Sequence, residues 1–212
     1  IRQDWGEPNW VLSFGQGGEK LSFNLENISG TNVDASYQVI PSSIENSWHH
    51  ISGVYDGSNL KLYLDGLLVA TQEQSGNIAF GGNNQATYLN IGSHPFPNND
   101  YESFDGFIDE VQIWNIALTQ EQIQIHMNAP LSGNEEGLVG YWSFNDGEGS
   151  TLTDLSGNGN HGTINGATWS DDGAPVEPQD TIATITLSDV DTYIFSGYIG
   201  DTALVAVNAD LG

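Results

Sequence analysis

Apolar and polar residues alternate most regularly over residues 48–71, WHHISGVYDGSNLKLYLDGLLVAT, a run punctuated by two Asp-Gly dipeptides. A repeat of two is that of a half-buried strand, and Asp-Gly suits the positive φ that both central residues of a type I′ turn require. The run therefore predicts three consecutive antiparallel strands, turning at Asp56-Gly57 and Asp65-Gly66. With Asp65-Gly66 as a two-residue loop, Leu64 pairs with Leu67, Tyr63 with Leu68 and Leu62 with Val69. Leu60, Leu62, Leu64, Leu67 and Val69 then share a core face, while Lys61, Tyr63 and Leu68 point away.

The flanking sequence repeats the pattern in shorter pieces. Residues 1–9 are polar and read as a loop or strand end. Residues 10–14 and 20–25 alternate around a glycine-rich turn and form a hairpin. A turn at 27–32 leads into a strand over 35–40, and short strands follow at 78–80 and 88–91. Residues 94–103, HPFPNNDYES, are a long polar loop, and 107–114 read as a buried strand. The one helix is predicted over 119–127: Thr119 and Gln122 make a capping box, and Ile123 and Met127 make an apolar stripe. It is expected to cover one end of a sandwich. The strand at 138–144 is expected to complete the sheet that holds 107–114, with glycine- and aspartate-rich turns running on to Trp169. An acidic, proline-containing stretch, DDGAPVEPQD, precedes three further strands at 181–187, 193–198 and 203–207, too few to bury a core alone. The organisation is thus a β domain over 1–172, a linker at 173–180, and a docked tail or the start of a second β module at 181–212.

Composition sharpens this all-β reading. Twenty-six Gly, 22 aromatic residues (8 Tyr, 8 Phe and 6 Trp) and no Cys describe a loop-rich, aromatic-cored protein without disulfides. Only 3 Lys+Arg face 28 Asp+Glu, a formal charge of -25, which repels nucleic acid and anionic lipid. Such a surface suits a protein that binds cations or works at high ionic strength, where screening relieves self-repulsion. That fits an extracellular, marine bacterial setting. No apolar run is long enough to span a membrane, and no signal peptide opens the chain.

Two loops hold candidate chemistry. In DLSGNGNHG, Asp154, Asn158 and Asn160 alternate with glycines, so carboxylate, amide and backbone oxygens could wrap a calcium ion, which takes six to eight such ligands. The competing reading is a turn in which Asp154 caps its own backbone. In the loop at 93–101, Phe96 stands between two prolines ahead of Asn98, Asn99, Asp100 and Tyr101. A ring held this way can stack on a sugar while amides and carboxylates accept its hydroxyl hydrogen bonds. Trp5 and Trp10 are candidates for a second platform. For each ring alone, core packing is the competing reading.

Four blocks resemble a known family: Trp-x-His with its Tyr-Asp-Gly and Tyr-x-Asp-Gly turns, LNIGS at 89–93, FDGFIDEVQIWNIALTQEQI at 104–123, and GLVGYWSFNDGEGSTLTDLSGNGNHGTINGATW at 137–169. In this order they are similar to the laminin-G-like, pentraxin-like jelly rolls of the concanavalin A-type lectin superfamily. The resemblance implies two antiparallel sheets packed face to face and binding of glycan or extracellular protein ligands, often with calcium. It also implies that Asp109 lies near the Asp154 loop as a further calcium ligand. Resembling domains have several strands before the position of Ile1, so the chain reads as an internal piece of a larger secreted or surface-attached protein.

Catalysis is not expected. The Glu-x-Asp-x-x-Glu pattern of related glycosidases is missing, and Asp109 and Glu110, as neighbours on a strand, would face opposite ways instead of standing about 5 Å apart. No nucleophile or zinc-ligand motif accompanies the five histidines. The expected role is a noncatalytic recognition or adhesion module. The rivals are an assembly unit of a surface filament, adhesin stalk or phage-like fibre, joined through open sheet edges, and an accessory domain of a polysaccharide-degrading enzyme.

Overall fold

The alternation along KLSFNLE places Leu21, Phe23 and Leu25 on one face of a strand, and that face is the floor of the main core. The computed structural model describes residues 2–3, 10–14, 19–26, 32–78, 89–92 and 104–176. Strands β1 (Arg2–Gln3), β2 (Trp10–Phe14), β3 (Lys20–Glu26), β4 (Asn32–Gln38) and β8 (Leu89–Asn90) form a sheet in the order β4-β3-β2-β1-β8. Strands β5 (Ile51–Tyr55), β6 (Asn59–Leu64) and β7 (Leu67–Glu73) form a second. Leu21, Phe23, Leu25, Ala35 and Val39 of the first sheet and its flank meet Leu60 and Leu62 of the second. All described pairings are antiparallel, and the two sheets build the expected jelly-roll sandwich. Close approach depends on Gly53 of β5: a Cβ there would stand 2.5 Å from the Phe23 ring.

The central hairpin turns where predicted, with Asp65 at φ 50° and Gly66 at φ 70°. Leu64 faces Leu67 and Tyr63 faces Leu68, but the register then shifts and Leu62 faces Ala70, not Val69. The extra residue on β7 is a bulge, which breaks strict alternation. Leu67, expected in the core, keeps its predicted partner Leu64 but lies at the turn end of the hairpin and is 59% exposed. Tyr63 does point away from Leu62, yet it is buried as well, because helix α1 (Gln120–His126) lays Ile123 over Tyr63 and Val54. Both halves of the Thr119–Gln122 capping box are made. Gln124 Nε2 donates to the Gly66 carbonyl at 3.0 Å, so the helix covers the outer face of the second sheet and not an end of the sandwich.

Beyond the helix, β10 (Leu138–Trp142) pairs with β9 (Val111–Trp114), and β11 (Thr151–Leu152) with β12 (Gly162–Thr163). Val111, Trp142 and Leu152 make a second core with Phe144, Ile164 and Trp169, which also takes in Leu89 and Ile91 from the β8 region. The block at 137–169 is thereby packed onto the edge of the five-stranded sheet. The strand expected from Phe107 starts only at Val111, because Glu110 sits at φ 51° and Asp109 Oδ1 accepts the Glu110 N–H. The tail expected to form three strands, and residues 177–180 of the linker, lie outside the described residues.

Candidate functional site

The Asp154 loop is built around one carboxylate. Asp154 is 5% exposed, and its Oδ1 accepts N–H bonds from Tyr141 (3.0 Å) and Ser156 (2.9 Å) while Oδ2 accepts from Asn160 (2.8 Å). Its own N–H donates to His161 Nδ1, and the Trp142 indole donates to the Asn160 carbonyl. Asn158 and Asn160 turn their amide nitrogens inward, both donating to the Val139 carbonyl. Burial pushes the Asp154 carboxyl up, but the donors from Tyr141, Ser156 and Asn160 outweigh it and leave the group below the ordinary carboxylate range.

These residues do not fit a calcium cage as they are arranged. A cation needs oxygen lone pairs facing it, whereas both Asp154 oxygens face N–H groups and both amides present nitrogen. Asp109 is committed elsewhere: its Oδ2 accepts the Ala174 N–H at 2.8 Å, and among the described residues it shares no hydrogen-bond partner with Asp154. Among the described residues no group of three or more His, Cys, Asp or Glu is placed to hold a metal ion.

On the other side of β10, the Tyr141 hydroxyl donates to Glu110 Oε2 at 2.7 Å. Tyr141 is 1% exposed and is thus held at both ends, amide by Asp154 and hydroxyl by Glu110. Burial raises the Glu110 carboxyl above its ordinary value; the Tyr141 hydroxyl opposes this and the Asp109 charge adds to it. A carboxyl whose folded pKa is raised stabilises most below its unfolded pKa, and that contribution is lost as pH rises through the folded value. Glu110→Gln is therefore expected to flatten the fall in stability just above the ordinary carboxylate range, measured by urea unfolding at a series of pH values. An unchanged slope would mean that Glu110 does not titrate in that window.

The ligand residues proposed from sequence, Phe96, Asn98, Asn99, Asp100, Tyr101 and Trp5, lie outside the described residues. Trp10 packs, partly buried, against the main core. Immediately after that loop, however, the turn Phe-Asp-Gly-Phe at 104–107 leaves Phe104 46% and Phe107 55% exposed. Each ring is backed by another: Phe104 by Phe14 at 6.3 Å and Phe107 by Trp48 at 6.2 Å between centroids. The turn is pinned by the Phe104 N–H donating to the Gly92 carbonyl and by Asp109 accepting from Ala174. Exposed Asp105 stands between the two rings in sequence. Read from sequence, Phe107 starts the strand and Phe104 has no role; the Asp105-Gly106 turn signal between two phenylalanines could have found the pair. A shallow hollow of roughly 440 Å³ lies elsewhere, lined by Ser58, Asn59, Glu73, Gln74 and Ser75, with no ring for stacking.

Comparison with known proteins follows the same lines. The sequence profile Laminin_G_3, described as the concanavalin A-like lectin/glucanases superfamily, matches residues 2–124. Pappalysin-1 of Mus musculus is 33% identical over 94 residues, and that of Homo sapiens 30% over 94 residues; each match covers 44% of this chain and 5% of the relative. A crystal structure from Bacteroides ovatus ATCC 8483, assigned provisionally to carbohydrate binding, superposes with a TM-score of 0.61 at 23% identity. It covers 84% of this chain and 50% of that one, a likeness of fold. The chain thus spans about a twentieth of the curated relatives' length and half of the solved structure's.

Proposed function

Because this chain belongs to the concanavalin A-like lectin/glucanases superfamily, we propose that it is a noncatalytic recognition module of a secreted or surface-attached protein, binding glycan at the turn Phe104 to Phe107. The observation behind this reading is the pair of exposed rings, each backed by a second ring and pinned by backbone hydrogen bonds. A sugar face stacks on a ring most tightly when the ring does not have to be ordered first. Asp105 adds an acceptor for sugar hydroxyls at the same turn. The provisional carbohydrate-binding assignment of the Bacteroides ovatus protein supports the same reading. Asp109 and Glu110 behind the turn serve the backbone and Tyr141, which suits support and not acid-base chemistry.

The test is affinity electrophoresis through gels cast with soluble polysaccharides, comparing the chain with Phe107→Ala. Truncating a central aromatic contact is expected to weaken retardation about tenfold or more, ~1.4 kcal/mol. The thermal midpoint should fall only slightly, since Phe107 is 55% exposed and its truncation costs mainly the contact with Trp48. Retardation that ignores Phe107→Ala would move the site elsewhere. Release of reducing ends from a retarding polysaccharide would remove the noncatalytic part of the proposal.

A further inference from the structure

Basic residues are the scarcest chemistry in this chain, which contains only Arg2, Lys20 and Lys61. Both lysines are already engaged: Lys20 Nζ lies 2.6 Å from Asp34 Oδ2, and Lys61 Nζ lies 2.7 Å from Asp56 Oδ2. His49, next to Trp48 in the chain, is also committed, with Nδ1 2.8 Å from Asp65 and Nε2 2.9 Å from Ser47. In the exposed aromatic turn Asp105 stands between the two phenylalanines in sequence, and Asp109 and Glu110 follow it, within a chain of formal charge -25. Recognition of a sugar carboxylate or sulfate ordinarily uses an Arg or Lys as a charge-assisted donor. Among the described side chains, the charged groups in and next to this turn are carboxylates; the third cation, Arg2, lies on β1, paired with β8.

Resting on the aromatic site proposed above, we infer that the turn selects glycans without anionic groups and rejects uronate- and sulfate-bearing ones. The rings supply affinity that is indifferent to charge, and the surrounding carboxylates supply the discrimination. Like charges set against an interface act as a penalty on the wrong ligand without strengthening the right one. Because the repulsion reaches over a Debye length, discrimination is steepest at low ionic strength and shrinks as salt is added, while stacking on a neutral chain persists.

The experiment uses the whole 212-residue chain, hydroxyethylated against carboxymethylated cellulose, and matched neutral and carboxymethylated forms of dextran and galactomannan. Retardation is read at low and high salt, with a chelator throughout so that no divalent ion bridges like charges. The expected result is retardation by at least one neutral form, lost in Phe107→Ala, with its carboxymethylated counterpart about tenfold weaker or more at low salt and the gap narrowing at high salt. Equal or stronger retardation by the carboxymethylated form, still lost in Phe107→Ala, would overturn the ligand class and leave the aromatic site standing. Retardation by neither form of any backbone would overturn the glycan site itself, and the selectivity with it.

Discussion

Asp154→Ala is expected to lower the unfolding free energy by roughly 3–5 kcal/mol, by the same amount in calcium as in excess chelator. The substitution removes one 5%-exposed carboxylate that satisfies three backbone N–H groups, those of Tyr141, Ser156 and Asn160. Each buried donor left without a partner costs about 1–3 kcal/mol, less where water reaches it. Against a total stability of about 5–15 kcal/mol for an ordinary domain, that is a large share. Asp154→Asn, which keeps the shape and one acceptor oxygen, should fall between the two and provides a folded variant if alanine unfolds the chain. The folded carboxyl sits below its ordinary range, so its contribution is present above that range and is lost as pH falls through the folded pKa. This is opposite in sign to Glu110. Urea unfolding with and without calcium is the deciding measurement. A calcium-dependent rise in stability that disappears in Asp154→Asn would restore the metal reading and sink the cap.

Gly53→Ala is expected to cost about 2–3 kcal/mol through overpacking, although alanine is the milder choice for a strand by propensity. The new methyl would stand 2.5 Å from two atoms of the Phe23 ring and 2.8 Å from a third. Phe23 has little room to retreat, since it is buried with Leu21, Leu25, Ala35, Leu60 and Leu62. The partner variant Phe23→Leu leaves a cavity and is destabilising alone. Combined with Gly53→Ala, the two should cost clearly less than their sum, because the methyl occupies space that the ring vacates. Additive costs in a double-mutant cycle would show that the sheets part at Gly53 instead of pressing on Phe23.

What the sequence made legible was mostly local. Asp65-Gly66 announces its turn because two adjacent residues suffice to define it, and the Thr119–Gln122 box announces a helix start for the same reason. The two-sheet sandwich was legible because whole strands alternate, as in Leu21, Phe23 and Leu25. The bulge that sets Ala70 in place of Val69 opposite Leu62 was not, because it depends on how β7 settles against β6 and no residue type marks it. The seat of α1 depends on Gln124 reaching Gly66, 58 residues away, which no window of periodicity contains. Phe107 looked like the start of a strand because apolar residues recur up to Trp114; the positive φ of Glu110 breaks that run without a glycine to signal it. At Asp154 the residue types are equally suited to gripping a cation or backbone N–H groups. In the structure the carboxylate takes the Tyr141 amide of the neighbouring strand β10 and the Asn160 amide donates to the Val139 carbonyl, contacts between distant residues that no local pattern announces.

The double hold on Tyr141 bears on the order in which the chain assembles. The β9–β10 pairing has an irregularity between Leu138 and Gly140, so two strands alone leave more than one alignment open. One alignment is selected when Asp154, 13 residues downstream, takes the Tyr141 amide and Glu110, 31 residues upstream, takes its hydroxyl. Loop closure of that length comes after hairpin formation, so the central β5–β6–β7 meander can nucleate early while β10 waits for its final alignment. A chain interrupted before Asp154 would keep the Glu110 hold on the Tyr141 hydroxyl and lose the one on its amide.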